Sequence, residues 1–341
     1  MVTKIIRVLV VDDSLVFREI ISRGISSNPN IDVVATAKDP YEARDKILEF
    51  HPDVIICDIE MPKMNGIEFI RKLLPQYPIP VVVVSSISEA VLESINAGAV
   101  EFVTKPDVQR LKGIESFLNE LIAKIKIASK AKVIGTNYTF PSASRKRAVP
   151  TNRDKIIAMG SSTGGTEALF SILKSLPNNV PGIVVVQHIP PTFSSMFANR
   201  LNQQTAFQVK EAATGDIVEP GTVLIAPGDQ HMKIVKVGDV YKVRCFVGEK
   251  VSGHCPSVDV LFESVAKEVG HQAIGVILTG MGYDGAKGLL AMKRKGAFTI
   301  GQNETSSVVY GMPKVAFNIG AVSTQGSLAN IPGLILQSLN Q

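Results

Sequence analysis

The sequence predicts an α/β protein made of two doubly wound domains, residues 1–126 and 154–341, joined by a basic linker at 127–153. Three observations lead there. The chain has 341 residues, enough for two domains at roughly 150 residues each. Short β-rich runs alternate with amphipathic stretches, the rhythm of parallel sheets covered by helices. That rhythm stops once, in a segment with too little apolar area to fold alone.

In the first domain, residues 5–11, 31–36, 53–57, 80–84 and 100–103 are short, apolar runs rich in β-branched side chains, and each is expected to form a strand of one parallel sheet. Between the first two, residues 14–27 predict a helix: Ser14 stands as its cap, and Val16, Ile20, Ile21 and Ile25 recur near the helical period. A last helix is expected over 109–128, with Leu111, Ile114, Leu118, Leu121, Ile122 and Ile125 on one face. The linker holds Lys130, Lys132, Arg145, Lys146, Arg147 and two prolines, the composition of a protease-sensitive hinge. Strands return at 155–159, 182–187, 222–226, 273–279 and 297–301. Residues 233–237 and 240–244, separated by Gly238-Asp239, read as an antiparallel hairpin added to the second parallel sheet.

Composition removes several classes. With 45% hydrophobic and 20% charged residues, 27 Gly and 19 Pro, the chain is neither collagenous nor low-complexity. No apolar run approaches the roughly 18–20 residues of a membrane span, and the opening run contains Arg7 and ends on Asp12 and Asp13. Cys57, Cys245 and Cys255 cannot all pair, and the first two sit in apolar runs as buried free thiols would, so a cytoplasmic location is expected. The net charge of +5 divides into −5 over residues 1–123, +8 over 124–153 and +2 over 154–341. The excess lies in the linker, without a helix-turn-helix beside it or aromatic residues for stacking on bases, so no nucleic-acid partner is expected.

In an open parallel sheet, ligand sites form at the carboxyl ends of the strands. Asp12 and Asp13 follow the first strand, Asp58 the third, Ser85 and Ser86 the fourth and Lys105 the fifth. Three carboxylates at one edge repel one another unless a cation joins them, and a hard oxygen site suits Mg²⁺. Lys105 can balance phosphate oxygens. The runs Val-Asp-Asp-Ser at 11–14, Asp-Ile-Glu-Met-Pro-Lys-Met-Asn-Gly at 58–66 and Thr-Lys-Pro at 104–106 resemble the response-regulator receiver domain, a flavodoxin-like fold, over residues 4–126. The resemblance implies that Asp58 accepts a phosphoryl group from a histidine kinase, with Mg²⁺ held by Asp12, Asp13 and Asp58. It also implies that Ser85 and Phe102 act as a hydroxyl and aromatic switch and that Lys105 precedes a cis Pro106. The stretch between Ser86 and Gly98 is short for that family.

The second domain opens on a strand followed by Gly160-Ser161-Ser162-Thr163-Gly164-Gly165 and a helix. Small residues in a strand–turn–helix expose a serine, which makes Ser162 the candidate nucleophile, and the helix N-terminus suits a developing oxyanion. A dinucleotide-binding turn would need an acid at the end of the next strand, where this chain has His188, suited to a general base. Asp284, in the glycine-rich loop after strand 273–279, is placed to orient that histidine. Asp229 and Asp259 compete for the acid and His231 and His254 for the base. No histidine or cysteine pair has zinc spacing.

The segments 158–168, Gln187-His188-Ile189-Pro190, Ala226-Pro227-Gly228, Pro256-Ser257-Val258-Asp259 and 278–285 resemble the chemotaxis protein-glutamate methylesterase family from about 154 to 338. The resemblance implies hydrolysis of glutamate methyl esters on the cytoplasmic helices of chemoreceptors, and in some relatives deamidation of receptor glutamines. It places Met281 N–H and the region of Thr163 in the oxyanion hole and Pro256 and Ser257 at the substrate cleft. The implied partners are methylated receptors, through which alone the protein meets a membrane, and a chemotaxis histidine kinase. A monomer is expected, with no cofactor in the esterase domain. The unphosphorylated receiver is expected to pack over the active-site edge until phosphorylation releases it. A receiver-controlled binding module and a receiver-linked oxidoreductase are the rival classes.

Overall fold

The computed structural model describes residues 4–86, 88–106, 111–133 and 155–340. The start of the expected last helix of the first domain and most of the expected linker lie outside the described residues, as does the Leu111 side chain. The chain divides into two compact units, Met1–Asn137 and Tyr138–Gln341.

In the first unit β1 (Ile6–Val11), α1 (Leu15–Ser26), β2 (Ile31–Ala37), α2 (Pro40–Phe50), β3 (Val54–Asp58), α3 (Gly66–Leu73), β4 (Val81–Ser85), α4 (Ser88–Asn96), β5 (Glu101–Thr104) and α5 (Leu111–Ala128) alternate. The strands form one parallel sheet in the order β2-β1-β3-β4-β5. β3 and β4 are buried along their whole length, which is why they read as unbroken apolar runs. Helix starts follow local chemistry: Ser14 Oγ accepts from Phe17 N, and Asp39 accepts from Tyr41 N and Glu42 N with Pro40 in the first turn. Leu9, Ile55, Val83, Ile47 and Ile70 fill one side of the sheet, each worth about 1.5–3 kcal/mol on burial. Sheet order reverses between β1 and β3, so the ends of those two strands flank a crevice.

The second unit runs β6 (Ile156–Ser161), α6 (Gly165–Ser175), β7 (Ile183–Gln187), α7 (Pro191–Gln204), β8 (Gln208–Glu211), β9 (Thr222–Ile225), β10 (His231–Val237), β11 (Val240–Phe246), α8 (Val258–Glu268), β12 (Ala273–Ile277), α9 (Ala286–Arg294), β13 (Phe298–Gln302), α10 (Met312–Asn318), β14 (Thr324–Gly326) and α11 (Ile331–Leu339). Seven strands make a parallel sheet in the order β14-β13-β12-β6-β7-β9-β8. The hairpin β10–β11 pairs Val237 with Val240 across Gly238-Asp239. It packs on α8, where Ile234 N donates to Ser264 Oγ and Met232, Ile234 and Val243 join the core with Leu261 and Val265. The chain lays β7, β9 and β8 on one side of β6 and then crosses back to β12 on the other. The crevice between β6 and β12 is therefore the switch point of this sheet.

Three details differ from expectation. β8 and β14 were not anticipated, because both are short edge strands without an apolar run. Cys57 is buried, but Cys245 is half-buried near the Ala212 carbonyl. The Lys105–Pro106 bond is not cis; among the described residues the cis peptide is Cys255–Pro256.

Candidate functional site

At the carboxyl edge of the first sheet, Asp12 and Asp58 are each 1% exposed while Asp13 is open to solvent. Oxygens of all three lie within 4.8 Å of one another. Lys105 Nζ lies 2.9 Å from Asp12 Oδ2 and 2.7 Å from Asp58 Oδ2, and its ammonium also sits 4.8 Å from the centre of the Phe17 ring. Burial pushes the Asp58 carboxyl up to about 6, because Lys105 offsets only part of the lost hydration and Asp12 adds like charge. The Lys105 ammonium is desolvated too, yet its bonds to Asp58 and Asp12 hold its proton more tightly than usual. Ser85 is buried and Phe102 half-buried on neighbouring strands, and Lys105 N donates to Ser85 O at 3.0 Å. Two acids with one lysine between them leave a net negative pocket of hard oxygen donors, which fits a small divalent cation.

The second edge is assembled from three strand ends. Ser162 follows β6, and its N–H donates to Thr279 O at 3.0 Å, which binds the turn to the end of β12. A Cβ on Gly280 would lie 2.7 Å from Ser162 Cβ, so that approach requires glycine. His188 follows β7, and its Nε2 is 2.8 Å from Asp284 Oδ2. Its Nδ1 is buried and has no hydrogen-bond partner among the described residues. The ring stacks on His254, with centroids 3.7 Å apart and planes 7° from parallel.

Asp284 is completely buried and accepts from Ser257 Oγ at 2.7 Å, Val258 N at 2.7 Å and Asp259 N at 3.0 Å as well as from His188. Two of these donors are the first amides of α8, so the carboxylate sits at a helix N-terminus. Burial alone would push Asp284 up. The bond and charge of His188 and the Asp259 N and Ser257 bonds outweigh it and hold the carboxyl below its ordinary value.

The competing residues have other duties. His231 is buried, with Nε2 on Glu249 O at 2.8 Å and Nδ1 accepting from Ser257 N at 3.2 Å. Asp259 accepts from Gly288 N at 2.8 Å in the first turn of α9 and from Ser252 Oγ at 3.0 Å. Asp229 is exposed. Pro256 and Ser257 are buried, with Ser257 behind Asp284. Thr163 is buried and its carbonyl accepts from Thr279 Oγ1 at 3.0 Å, while Met281 is half-buried.

Gln187, given no role by the sequence beyond its place in the segment Gln187-His188-Ile189-Pro190, also lies at this edge. Gln187, the last residue of β7, donates from Nε2 to Ser162 O at 2.9 Å and to His188 O at 3.1 Å, and accepts from Ser161 Oγ at 2.6 Å. Its sequence signals are that segment and a polar residue closing an otherwise apolar strand.

Residues 157–335 match the family model described as CheB methylesterase, and residues 8–114 match that of the response regulator receiver domain. A protein-glutamate methylesterase/protein-glutamine glutaminase 2 of Syntrophomonas wolfei is 52% identical, over 98% of this chain and 98% of its own length. A protein-glutamate methylesterase/protein-glutamine glutaminase of Salmonella typhimurium is 44% identical, over 98% of this chain and 97% of its own. Among solved structures, the Thermotoga maritima CheB methylesterase catalytic domain covers 54% of this chain and 97% of its own, with 38% identity and a TM-score of 0.53.

Proposed function

This chain belongs to the CheB methylesterase family and carries a response regulator receiver domain, and from that premise we propose that Ser162, His188 and Asp284 hydrolyse glutamate methyl esters by acyl transfer. The enzyme is a protein-glutamate methylesterase, with protein-glutamine glutaminase as the companion activity of its relatives. The observation that carries the residue assignment is the His188–Asp284 bond of 2.8 Å, which spends Nε2 and leaves Nδ1 unpartnered at the edge where the Ser162 turn ends.

Ser162 Oγ attacks the ester carbonyl while His188 Nδ1 takes its proton. The tetrahedral oxyanion is held by Thr163 N–H and Met281 N–H; Ser162 N–H is unsuited because it is bonded to Thr279 O. Collapse breaks the C–O bond to methoxide, which leaves as methanol with the proton from His188. Water then attacks the acyl-enzyme, His188 takes a proton from it, and glutamate departs as Ser162 regains its hydrogen. On a glutamine substrate ammonia replaces methanol as the leaving group. Throughout, Asp284 fixes the tautomer of His188 and stabilises its protonated form.

In the first domain Asp58 takes a phosphoryl group from a phosphohistidine, an O–P bond forming as the P–N bond breaks. Asp12, Asp13 and Asp58 would hold Mg²⁺, which when bound supplies positive charge against the phosphoryl oxygens. Lys105 stands ready for the same oxygens, and Ser85 and Phe102 report the new charge as the switch pair. Unphosphorylated, this domain restrains the esterase; phosphorylation lifts the restraint. The setting is chemotaxis adaptation in the cytoplasm, acting on methylated chemoreceptor helices under a chemotaxis histidine kinase. Among the described residues no helix is long and apolar enough to cross a membrane.

The test is methanol release from a methylated receptor fragment. Ser162→Ala should lower turnover about 10⁴-fold or more, and an Ser162→Ala enzyme that still turns over would overturn the assignment.

A further inference from the structure

Gln187 holds three polar partners inside a buried region: Gln187 is 4% and Ser161 0% exposed. Ser161 and Gln187 end adjacent strands as register partners, and His188 N donates across to Ser161 O at 3.1 Å. Both N–H bonds of the Gln187 amide are used, one on the carbonyl of Ser162 and one on that of His188. Ser161 Oγ, donating to the amide oxygen, fixes which end of the amide points where. Space for it is cleared by Gly165, where a Cβ would lie 2.2 Å from Gln187 Oε1. A single side chain thus joins the backbone of the nucleophile's residue to that of the base's residue.

The peptide unit is planar and trans, so the Ser162 carbonyl and the Thr163 N–H point in opposite directions. With Ser162 O held by Gln187 Nε2 at 2.9 Å and by Gly165 N at 2.7 Å, Thr163 N–H is directed away from Gln187. We propose that Gln187, braced by Ser161, is a positioning residue that sets His188 against Ser162 and aims the Thr163 N–H of the oxyanion hole. The proposal rests on the assignment of Ser162 and His188 above. It gives a buried amide at a strand end a consequence for the reaction beyond strand pairing.

The distinguishing experiment uses the full-length enzyme with Gln187→Met, which keeps length and volume but removes both donors, and Ser161→Ala, which removes only the brace. Steady-state methanol release gives kcat and KM, and labelling of Ser162 by a fluorophosphonate reports the nucleophile and base without turnover. Loss of one oxyanion donor typically costs 10²–10³-fold in kcat. Gln187→Met should therefore lose about 10²-fold in kcat with KM changed less than about threefold, with slowed labelling, at temperatures where far-UV circular dichroism shows it folded. Ser161→Ala should lose about 3–10-fold in kcat, since the amide keeps its donors but not its brace. A folded Gln187→Met enzyme with wild-type kcat and labelling overturns the proposal, as does a loss confined to KM. Ser162→Ala run beside them separates the two readings: if it remains active, the triad assignment has failed; if it is dead while Gln187→Met is normal, only the positioning role has.

Discussion

At the scale of single residues, environment separates chemically equal groups. Asp284 and Asp259 are both buried carboxylates near the start of α8, yet the first is held below its ordinary value and the second pushed above it. Burial raises both; Asp284 gains His188 and the α8 amides in return, whereas Asp259 gains Gly288 N and Ser252 but faces the Asp284 charge. Asp284→Asn should lower methanol release about 10³–10⁴-fold by losing the tautomer control of His188. Ser257→Ala, which removes one bond to that carboxylate, should lower it about tenfold. Activity near wild type in Asp284→Asn would exclude it as the orienting acid. Asp58 carries the opposite sign. Its folded value of about 6 lies above that of an unfolded aspartate, so the native state binds more protons between about pH 4 and 6 and stability falls as pH rises through that window. At pH 7.5 without divalent cation, Asp58→Asn should raise the stability of the first domain by about 1–2 kcal/mol, and Mg²⁺ should narrow the gap by stabilising the wild type. A denaturant melt in which Asp58→Asn is less stable than the metal-free wild type would contradict this.

At the scale of elements, strand ends carry the chemistry and strand interiors carry the stability. The central strands were legible because burial on both faces demands unbroken apolar, β-branched runs, as in the Val81–Ser85 strand. The edge strands Gln208–Glu211 and Thr324–Gly326 were not, since half their faces meet solvent and the second has three residues. The same limit applies at the site. In the proposed triad, strand–turn context singles out Ser162 and His188 and the glycine-rich loop singles out Asp284, but the bonds that set Asp284 apart from Asp229 and Asp259 depend on where α8 points its first amides. Gln187 depends on the register of β6 against β7, which no local pattern encodes. Gly165 tests how tightly those ends are packed. Gly165→Ala places a methyl on the Gln187 amide oxygen and on Ser161 and should cost about 1–3 kcal/mol by overpacking, read as an earlier unfolding transition of the second unit. An unchanged transition would show that the amide can move aside.

At the scale of the whole molecule, two parallel sheets each place buried carboxylates near the switch point of their strand order, the places proposed above for phosphoryl transfer at Asp58 and acyl transfer at Ser162. The regulatory reading makes the first a brake on the second. Removing residues 1–150 should raise basal methanol release, and an unchanged or lower rate in folded protein would count against simple restraint. On the proposed function, chemistry at Asp58 controls chemistry at Ser162. This control is tested most directly by methanol release from a methylated receptor fragment, with and without a small-molecule phosphodonor and Mg²⁺, for wild type and Asp58→Asn side by side. Release should rise with phosphodonor in the wild type and stay at its basal level in Asp58→Asn; a rise that survives in Asp58→Asn, or no rise in either, would rule out control through Asp58.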